Sequence, residues 1–87
     1  MKGEQFGAAY ALGFENYLLD RDENSLHAAY ELGRKAVAAQ LSILDLASIH
    51  HDVLAAALGR AEHGRAQSVT EAAGDFLLQS LSAFEMV

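Results

Sequence analysis

The sequence predicts an all-α fold, a bundle of four helices. Proline is absent, Ala, Leu and Glu are abundant and β-branched residues are few, which favours helix over strand. Four segments carry apolar residues at helical spacing, and short charged or glycine-containing stretches separate them. Because 87 residues provide for one hydrophobic core, we expect residues 1–87 to form a single domain.

The first helix is predicted over residues 4–19. Its aromatic residues recur at spacings of four, four and three, which places them on one face: Phe6, Tyr10, Phe14 and Tyr17. A charged stretch follows, in which Asp22 or Asn24 can cap a second helix over residues 25–40. The inward face of that helix is predicted to be Leu26, Ala29, Tyr30, Gly33 and Val37.

The third helix is predicted over residues 43–60, with a capping box at its start. There the Ser42 side chain can accept the backbone N–H of Asp45, whose carboxylate can reach back. The residues expected to face inward are Ile43, Leu46, Ala47, His50, Val53, Leu54 and Ala57. Because so few residues separate helices two and three, we expect them to fold back as an antiparallel hairpin.

The fourth helix is predicted over residues 66–86, with the capping-box pattern of residues 68–71 at its start or in its first turn. Its inward face is predicted to be Val69, Ala73, Phe76, Ser80, Ala83 and Val87. Helices one and four are apolar on more than one face, which favours a homodimer that buries the surplus. The predicted dimer interface consists of Phe6, Tyr10, Phe14, Leu77, Leu81 and Phe84.

Composition limits the classes of function. Cys is absent, so a disulfide framework, a thiolate zinc site and a cysteine nucleophile are not expected. A net charge of −6 opposes binding to nucleic acid and to anionic lipid. With no signal-peptide pattern and no apolar run long enough to cross a bilayer, we expect a cytoplasmic protein with neither nucleic acid nor membrane as a partner.

The tripeptide His50-His51-Asp52 is the candidate for chemistry. An acidic residue follows His51, as in phospho-accepting histidines of sensor kinases, so a histidine phosphotransfer module is an alternative function. The basic residue and the proline that usually continue that motif are absent. His50 shares a face with apolar residues, which favours a half-buried imidazole with one ring nitrogen hydrogen-bonded.

No other pattern points to catalysis. The histidines show no metal-ligand spacing and no glycine-rich loop follows a strand, so we expect no metal, no cofactor and no catalytic residue. Glu31 and Lys35 are in the order that favours a solvated ion pair on helix two. We therefore expect that the chain is not an enzyme.

The partner-binding surface is predicted on the hairpin of helices two and three, because rigid elements present a site more accurately than loops. Tyr30 and Arg34 lie one turn apart on helix two, and Ile49 and Val53 do so on helix three. Tyr and Arg are the residue types enriched at binding hot spots.

Several segments in order carry a family resemblance: residues 29–36, residues 41–46, Ile49-His50-His51 with Leu54, and residues 80–86. Together they resemble the N-terminal domain of RsbU-type phosphoserine phosphatases of the bacterial stress response, which also occurs ahead of sensor kinases. Relatives often carry proline at the position of Ala83, so the last helix is expected to continue uninterrupted here.

The resemblance implies a four-helix unit that dimerises and receives a switch-kinase-like regulator, whose binding turns on a downstream enzyme. We therefore expect a regulatory interaction domain that passes a signal through its last helix to an attached C-terminal effector domain. The alternatives are the phosphotransfer module using His51 and a purely structural dimerisation domain.

Overall fold

The computed structural model describes residues 2–86. It contains four α-helices, α1 (Lys2–Leu19), α2 (Glu23–Ala38), α3 (Ile43–Arg60) and α4 (Ala66–Glu85). The all-α class and the four predicted helices are confirmed. Both ends of α3, the end of α1 and the start of α4 lie at the predicted residues, and the remaining ends are shifted by one or two residues. Helix α4 continues through Ala83 as expected, while Val87 lies outside the described residues.

The helices pack as a bundle in which α2 and α4 have the most extensive contact. Helix α1 packs on each of the others and α3 packs on α1 and α4, but α2 and α3 scarcely touch. The predicted hairpin of helices two and three is therefore wrong. Both helices bury their inner faces against α1 and α4 instead, so the short turn between them leads the chain across the bundle.

The core is an aromatic cluster around Phe76 of α4. Its ring centroid lies 5.2 Å from that of Tyr10, 5.7 Å from that of Phe14 and 6.0 Å from that of Tyr17. The aromatic stripe predicted for helix one is thus confirmed as its inner face, and Phe6 is buried at the end of it. Each large ring stabilises the fold by about 1.5–3 kcal/mol through burial.

Small residues form the contact between α2 and α4. Ala29, Gly33 and Ala36 are buried on α2, and Ala72, Ser80 and Ala83 are buried on α4. The side chain of Ser80 is satisfied within its own helix, because its hydroxyl donates to the backbone carbonyl of Phe76 at 3.0 Å. With such short side chains between them, the two helix backbones approach closely.

The helix starts agree with the capping signals in the sequence. Asp22 caps α2 by accepting the backbone N–H of Ser25 at 2.7 Å. At α3 the predicted capping box is present: Asp45 N–H donates to Ser42 Oγ at 3.0 Å, and Ser42 N–H donates to Asp45 Oδ2 at 2.9 Å. Helix α4 has no side-chain cap, and residues 68–71 lie in its first turns.

Helix α2 ends in a Schellman motif. The backbone N–H of Gln40 donates to the carbonyl of Val37 at 3.0 Å and that of Leu41 to the carbonyl of Ala36 at 2.9 Å. Gln40 adopts the left-handed conformation, with φ of 64°, at the position where glycine is usual. The chain changes direction at this turn, and α3 does not pack along α2.

The inner face of α3 is narrower than predicted. Leu46 and Ala57 are buried, and His50, Val53 and Leu54 are half-buried. Ile43 is 53% exposed and Ala47 is exposed, so the expectation that they face inward is wrong. The reason is that α2, expected beside α3, packs on α4 and leaves that side of α3 uncovered.

Candidate functional site

Tyr30 and Arg34 lie together in a groove between α2 and the end of α4. The groove has a volume of about 240 Å³, and its other lining residues are Val37, Ala38, Ala83 and Met86. Tyr30 is half-buried and Arg34 is exposed, so an aromatic ring and a cation stand beside an apolar floor. Met86, just beyond the last turn of α4, is 75% exposed. A partner that covers Tyr30 would therefore also contact the end of α4.

Glu31 contacts His27 and Arg34 on the polar side of α2. Its carboxylate lies 3.7 Å from Nη1 of Arg34 and 3.5 Å from Nε2 of His27. The expected ion pair of Glu31 with Lys35 is thus replaced by these two contacts. All three groups are largely exposed, so the contacts are weak and leave the Arg34 guanidinium free to exchange Glu31 for another acceptor.

Ile49 and Val53 line a different groove, between α1 and α3. Its volume is about 350 Å³, and its other lining residues are Gly7, Ala11, Glu15, Asp52, Ala56 and Arg60. Because α2 and α3 do not pack together, the structure does not bring the four predicted partner-binding residues onto one surface. Their role in binding a partner stays a prediction, now divided between two grooves.

The residues predicted for the dimer interface fall into two groups. Phe6, Tyr10 and Phe14 belong to the core of the single chain, at 8%, 0% and 1% exposure, and offer almost no surface to a second copy. Leu77, Leu81 and Phe84 are half-buried at the edge of α4. Among residues 4–86, the exposed large apolar residues are Leu12, Leu19, Ile43, Leu44, Leu58, Leu78 and Met86.

For helix one, the dimer prediction chose the aromatic face, which is buried in the core. A different apolar face of the helix remains exposed. Leu12 is 64% exposed and Leu19 is 85% exposed, on the side of α1 away from Tyr10 and Phe14. At 100° per residue, both leucines fall opposite the aromatic stripe. Once that stripe is taken as the inner face, the sequence itself indicates that Leu12 and Leu19 face outward.

His50 is the half-buried, hydrogen-bonded imidazole that the sequence favoured. Its Nδ1 lies 2.8 Å from the hydroxyl of Tyr10, and the two rings meet edge to face. Burial, and then the neighbouring His51, lower the pKa of His50. Burial raises the pKa of Tyr10 to about 12, partly offset by the hydroxyl of Ser80. Both side chains are therefore neutral near pH 7.

His51 and Asp52 are exposed, and Asp52 lines the groove between α1 and α3. Across residues 2–86, no three His, Cys, Asp or Glu side chains are grouped so that they could hold a metal ion. None of the helices in that range is both long and apolar enough to cross a membrane.

Comparisons with known proteins identify a family for the chain. No curated protein and no solved structure matches the chain. The family described as the N-terminal domain of the phosphoserine phosphatase RsbU matches residues 8–87, which include all of α2, α3 and α4 and most of α1. The chain therefore belongs to the RsbU N-terminal domain family and corresponds to the regulatory part of such a phosphatase, not to its catalytic domain.

Proposed function

We propose that this domain is a partner-receiving and dimerising module in bacterial stress-response signalling, and that it transmits partner binding to an attached effector through α4. Membership of the RsbU N-terminal domain family supports a regulatory role. The observation that carries the finer proposal is the groove in which Tyr30 and Arg34 of α2 lie against the end of α4. The partner is a switch-kinase-like regulator, and the effector is a phosphatase or sensor kinase.

The groove between α2 and α4 has the composition of a binding hot spot. Tyr30 supplies a large surface with a polar end, and Arg34 supplies a cation beside it. A partner that inserts an apolar side chain between Tyr30 and Met86 and offers a carboxylate to Arg34 matches both features. Arg34 would then exchange its weak contact with Glu31 for a better-oriented acceptor.

Transmission follows from the contact of α2 with α4. Small residues bring these helices close together where Gly33 meets Ser80 and Ala83, so we expect the two helices to move as one unit in response to a ligand. Met86 lies in the groove itself, where a bound partner restrains the end of α4 directly. Partner binding would thereby restrain an effector domain that continues from α4.

Dimerisation would cover the exposed apolar residues of α4 and its neighbours. Leu78 is 69% exposed, and the half-buried Leu77, Leu81 and Phe84 extend the apolar surface beside it along α4. On α1, Leu12 and Leu19 take the place of the buried aromatic residues in this proposal. A stable dimer buries about 800 Å² on each subunit.

We also infer that the domain has no catalytic activity of its own and acts in the cytoplasm. Its regulatory family and the lack of a cysteine in its sequence support these two inferences. Input from a partner, rather than a substrate, would then set the activity of the effector.

Experiments with purified protein distinguish partner binding, phosphotransfer and dimerisation alone. Isothermal titration with candidate switch kinases from the same genome should give saturable binding to a dimer. If instead a kinase and ATP place acid-labile phosphate on His51, the phosphotransfer alternative is correct. If a dimer forms and neither event occurs, the domain serves dimerisation alone.

A further inference from the structure

The groove between α1 and α3 has no part in the proposed function. Its volume of about 350 Å³ is large enough to receive side chains of another molecule. Gly7 and Ala11 of α1 and Ala56 of α3 line it with nothing larger than a methyl group. Because these residues are small, the space between the two helices stays open at the surface.

Two branched apolar side chains complete the apolar surface of the groove. Ile49 and Val53 lie one turn apart on α3, and both are half-buried and pack against the core. Leu46 and Ala57 are buried on the inner face of the same helix and hold it in the bundle. The groove therefore lies on a fixed part of the fold, where an incoming side chain meets a preformed apolar surface.

The α3 side of the groove carries an unpaired carboxylate. Arg60 donates to the carboxylate of Glu15, so these two charges offset each other. The carboxylate of Asp52 is exposed and has neither an ion pair nor a hydrogen bond with another described side chain. Since Asp52 also lines the groove, a negative charge stands beside its apolar surface.

The α1 side of the groove carries a second unpaired carboxylate. Glu4 comes about three helical turns before Glu15, so both lie on the same side of α1 as Ala11. Glu4 is exposed, and no ion pair joins it to another described side chain. Free carboxylates thus accompany the apolar surface on both helices.

We propose that the groove between α1 and α3 binds a basic amphipathic helix of a partner protein. Leucine, isoleucine or methionine side chains at helical spacing enter the groove against Ile49 and Val53. Lysine or arginine side chains beside them pair with Asp52 and Glu4. This groove shares no lining residue with the groove between α2 and α4, so it is a second interaction surface that does not depend on the proposed function.

Charge favours this occupant over a second copy of the chain, whose net charge is −6. The exposed leucines of the chain have acidic neighbours: Leu78 lies one turn after Asp75, and Leu19 directly precedes Asp20. A helix from a second copy would bring these carboxylates toward Asp52, and like charges that meet across an interface repel. A partner with lysine or arginine at the same places is attracted instead.

Fluorescence anisotropy of a labelled peptide tests the proposal. The probe is a synthetic helix of about 15 residues with leucines on one face and lysines on both sides of that face. In the control peptide, glutamate replaces every lysine. At about 50 mM salt, where charges are weakly screened, we expect the intact chain to bind the lysine peptide saturably and not the glutamate peptide.

Two carboxylate variants locate the charge that the peptide recognises. Asp52→Asn should weaken binding of the lysine peptide about twofold to fivefold, the effect of one exposed charge pair. Glu71→Gln removes an exposed carboxylate from α4 and should leave the affinity unchanged. Equal weakening by both variants would overturn the proposal, because the peptide would then respond to the net charge of the chain.

Filling the groove tests its shape separately from its charge. Ala56→Leu enlarges an exposed side chain that lines the groove, so we expect about tenfold weaker binding, equivalent to about 1.4 kcal/mol, with unchanged circular dichroism. Ala55→Leu is the matched control, since Ala55 is exposed beside it and does not line the groove. Equal affinity of Ala56→Leu and wild type would contradict the proposal.

Tyr30→Ala distinguishes this site from the groove between α2 and α4. It should bind the lysine peptide as the wild type does, whatever its effect on the regulator. Weaker peptide binding by Tyr30→Ala would place the peptide in the other groove and overturn the proposal. NMR of the intact chain gives a second readout: on addition of the peptide, amide shifts should concentrate in α1 and α3, and shifts confined to α2 and α4 would contradict the site.

Discussion

Gly33 of α2 lies directly against the backbone of Ser80 in α4. A Cβ atom at Gly33 would come within 2.1 Å of the Ser80 carbonyl oxygen and within 2.9 Å of the Ala83 Cβ. Backbone cannot move aside as the end of a flexible side chain can, so only glycine fits at this position. This contact ties the helix that carries Tyr30 and Arg34 to the helix that would lead to an effector.

Gly33→Ala should therefore destabilise the domain, although alanine is the better helix former. We expect a loss of about 3 kcal/mol, the upper end of the range for overpacking, because α2 and α4 must separate. Gly74→Ala is the control, since no neighbour lies within 4 Å of its added Cβ and α4 gains helix propensity. Urea unfolding followed by circular dichroism measures both. Equal stability of Gly33→Ala and wild type would contradict the close approach.

Gln40→Gly should stabilise the domain. Gln40 has a φ of 64°, a conformation that costs a residue with a Cβ roughly 1–2 kcal/mol and costs glycine little. After allowing for the greater freedom of glycine in the unfolded chain, we expect a gain of about 0.5–1 kcal/mol. Gln40→Ala keeps the Cβ and should give no such gain. Chemical denaturation of the three proteins checks the order.

The sequence predicted the helices well because their signals are local. The bounds of α3 follow from the reciprocal bonds of Ser42 and Asp45, and the inner face of α1 follows from four aromatic residues at helical spacing. Each depends on residues within a few turns of one another.

The arrangement of the helices depends on distant residues, and there the prediction failed. A short turn after Gln40 suggested that helices two and three pack together, but α2 packs on α4, whose backbone Gly33 allows to come close. The sequence also suggested that Ile49 and Val53 share one surface with Tyr30. They do not, for the same reason. The hydrogen bond of His50 to Tyr10 joins residues 40 positions apart, so the sequence favoured a partner for the ring without naming it.

Leu78→Glu should convert the proposed dimer to monomer. Leu78 is 69% exposed in the single chain, so a charge there leaves the monomer fold intact, whereas in a dimer it would be buried unpaired. Sedimentation equilibrium at tens of micromolar should show a dimer for the wild type and monomer for the variant, with equal helicity. His63→Glu adds the same charge in the exposed turn before α4 and should stay dimeric.

Leu81→Glu should be more damaging than Leu78→Glu. Leu81 is half-buried and packs against the core, so the charge disturbs both the interface and the single chain. Circular dichroism should show reduced helicity in addition to loss of the dimer. A wild-type chain that sediments as a monomer at these concentrations would rule out the proposed dimer altogether.

The affinity of Tyr30 and Arg34 variants for the regulator tests the central proposal most directly. Hot-spot truncations cost about 2 kcal/mol or more, so Tyr30→Ala and Arg34→Ala should each weaken a measured dissociation constant by roughly 30-fold. Lys35→Ala, which removes an exposed cation of the same helix outside the groove, should bind as the wild type does. Circular dichroism and sedimentation should show that all three variants remain folded and unchanged in assembly. Unaltered affinity in both groove variants, with the fold intact, would contradict the proposal that the groove between α2 and α4 receives the partner.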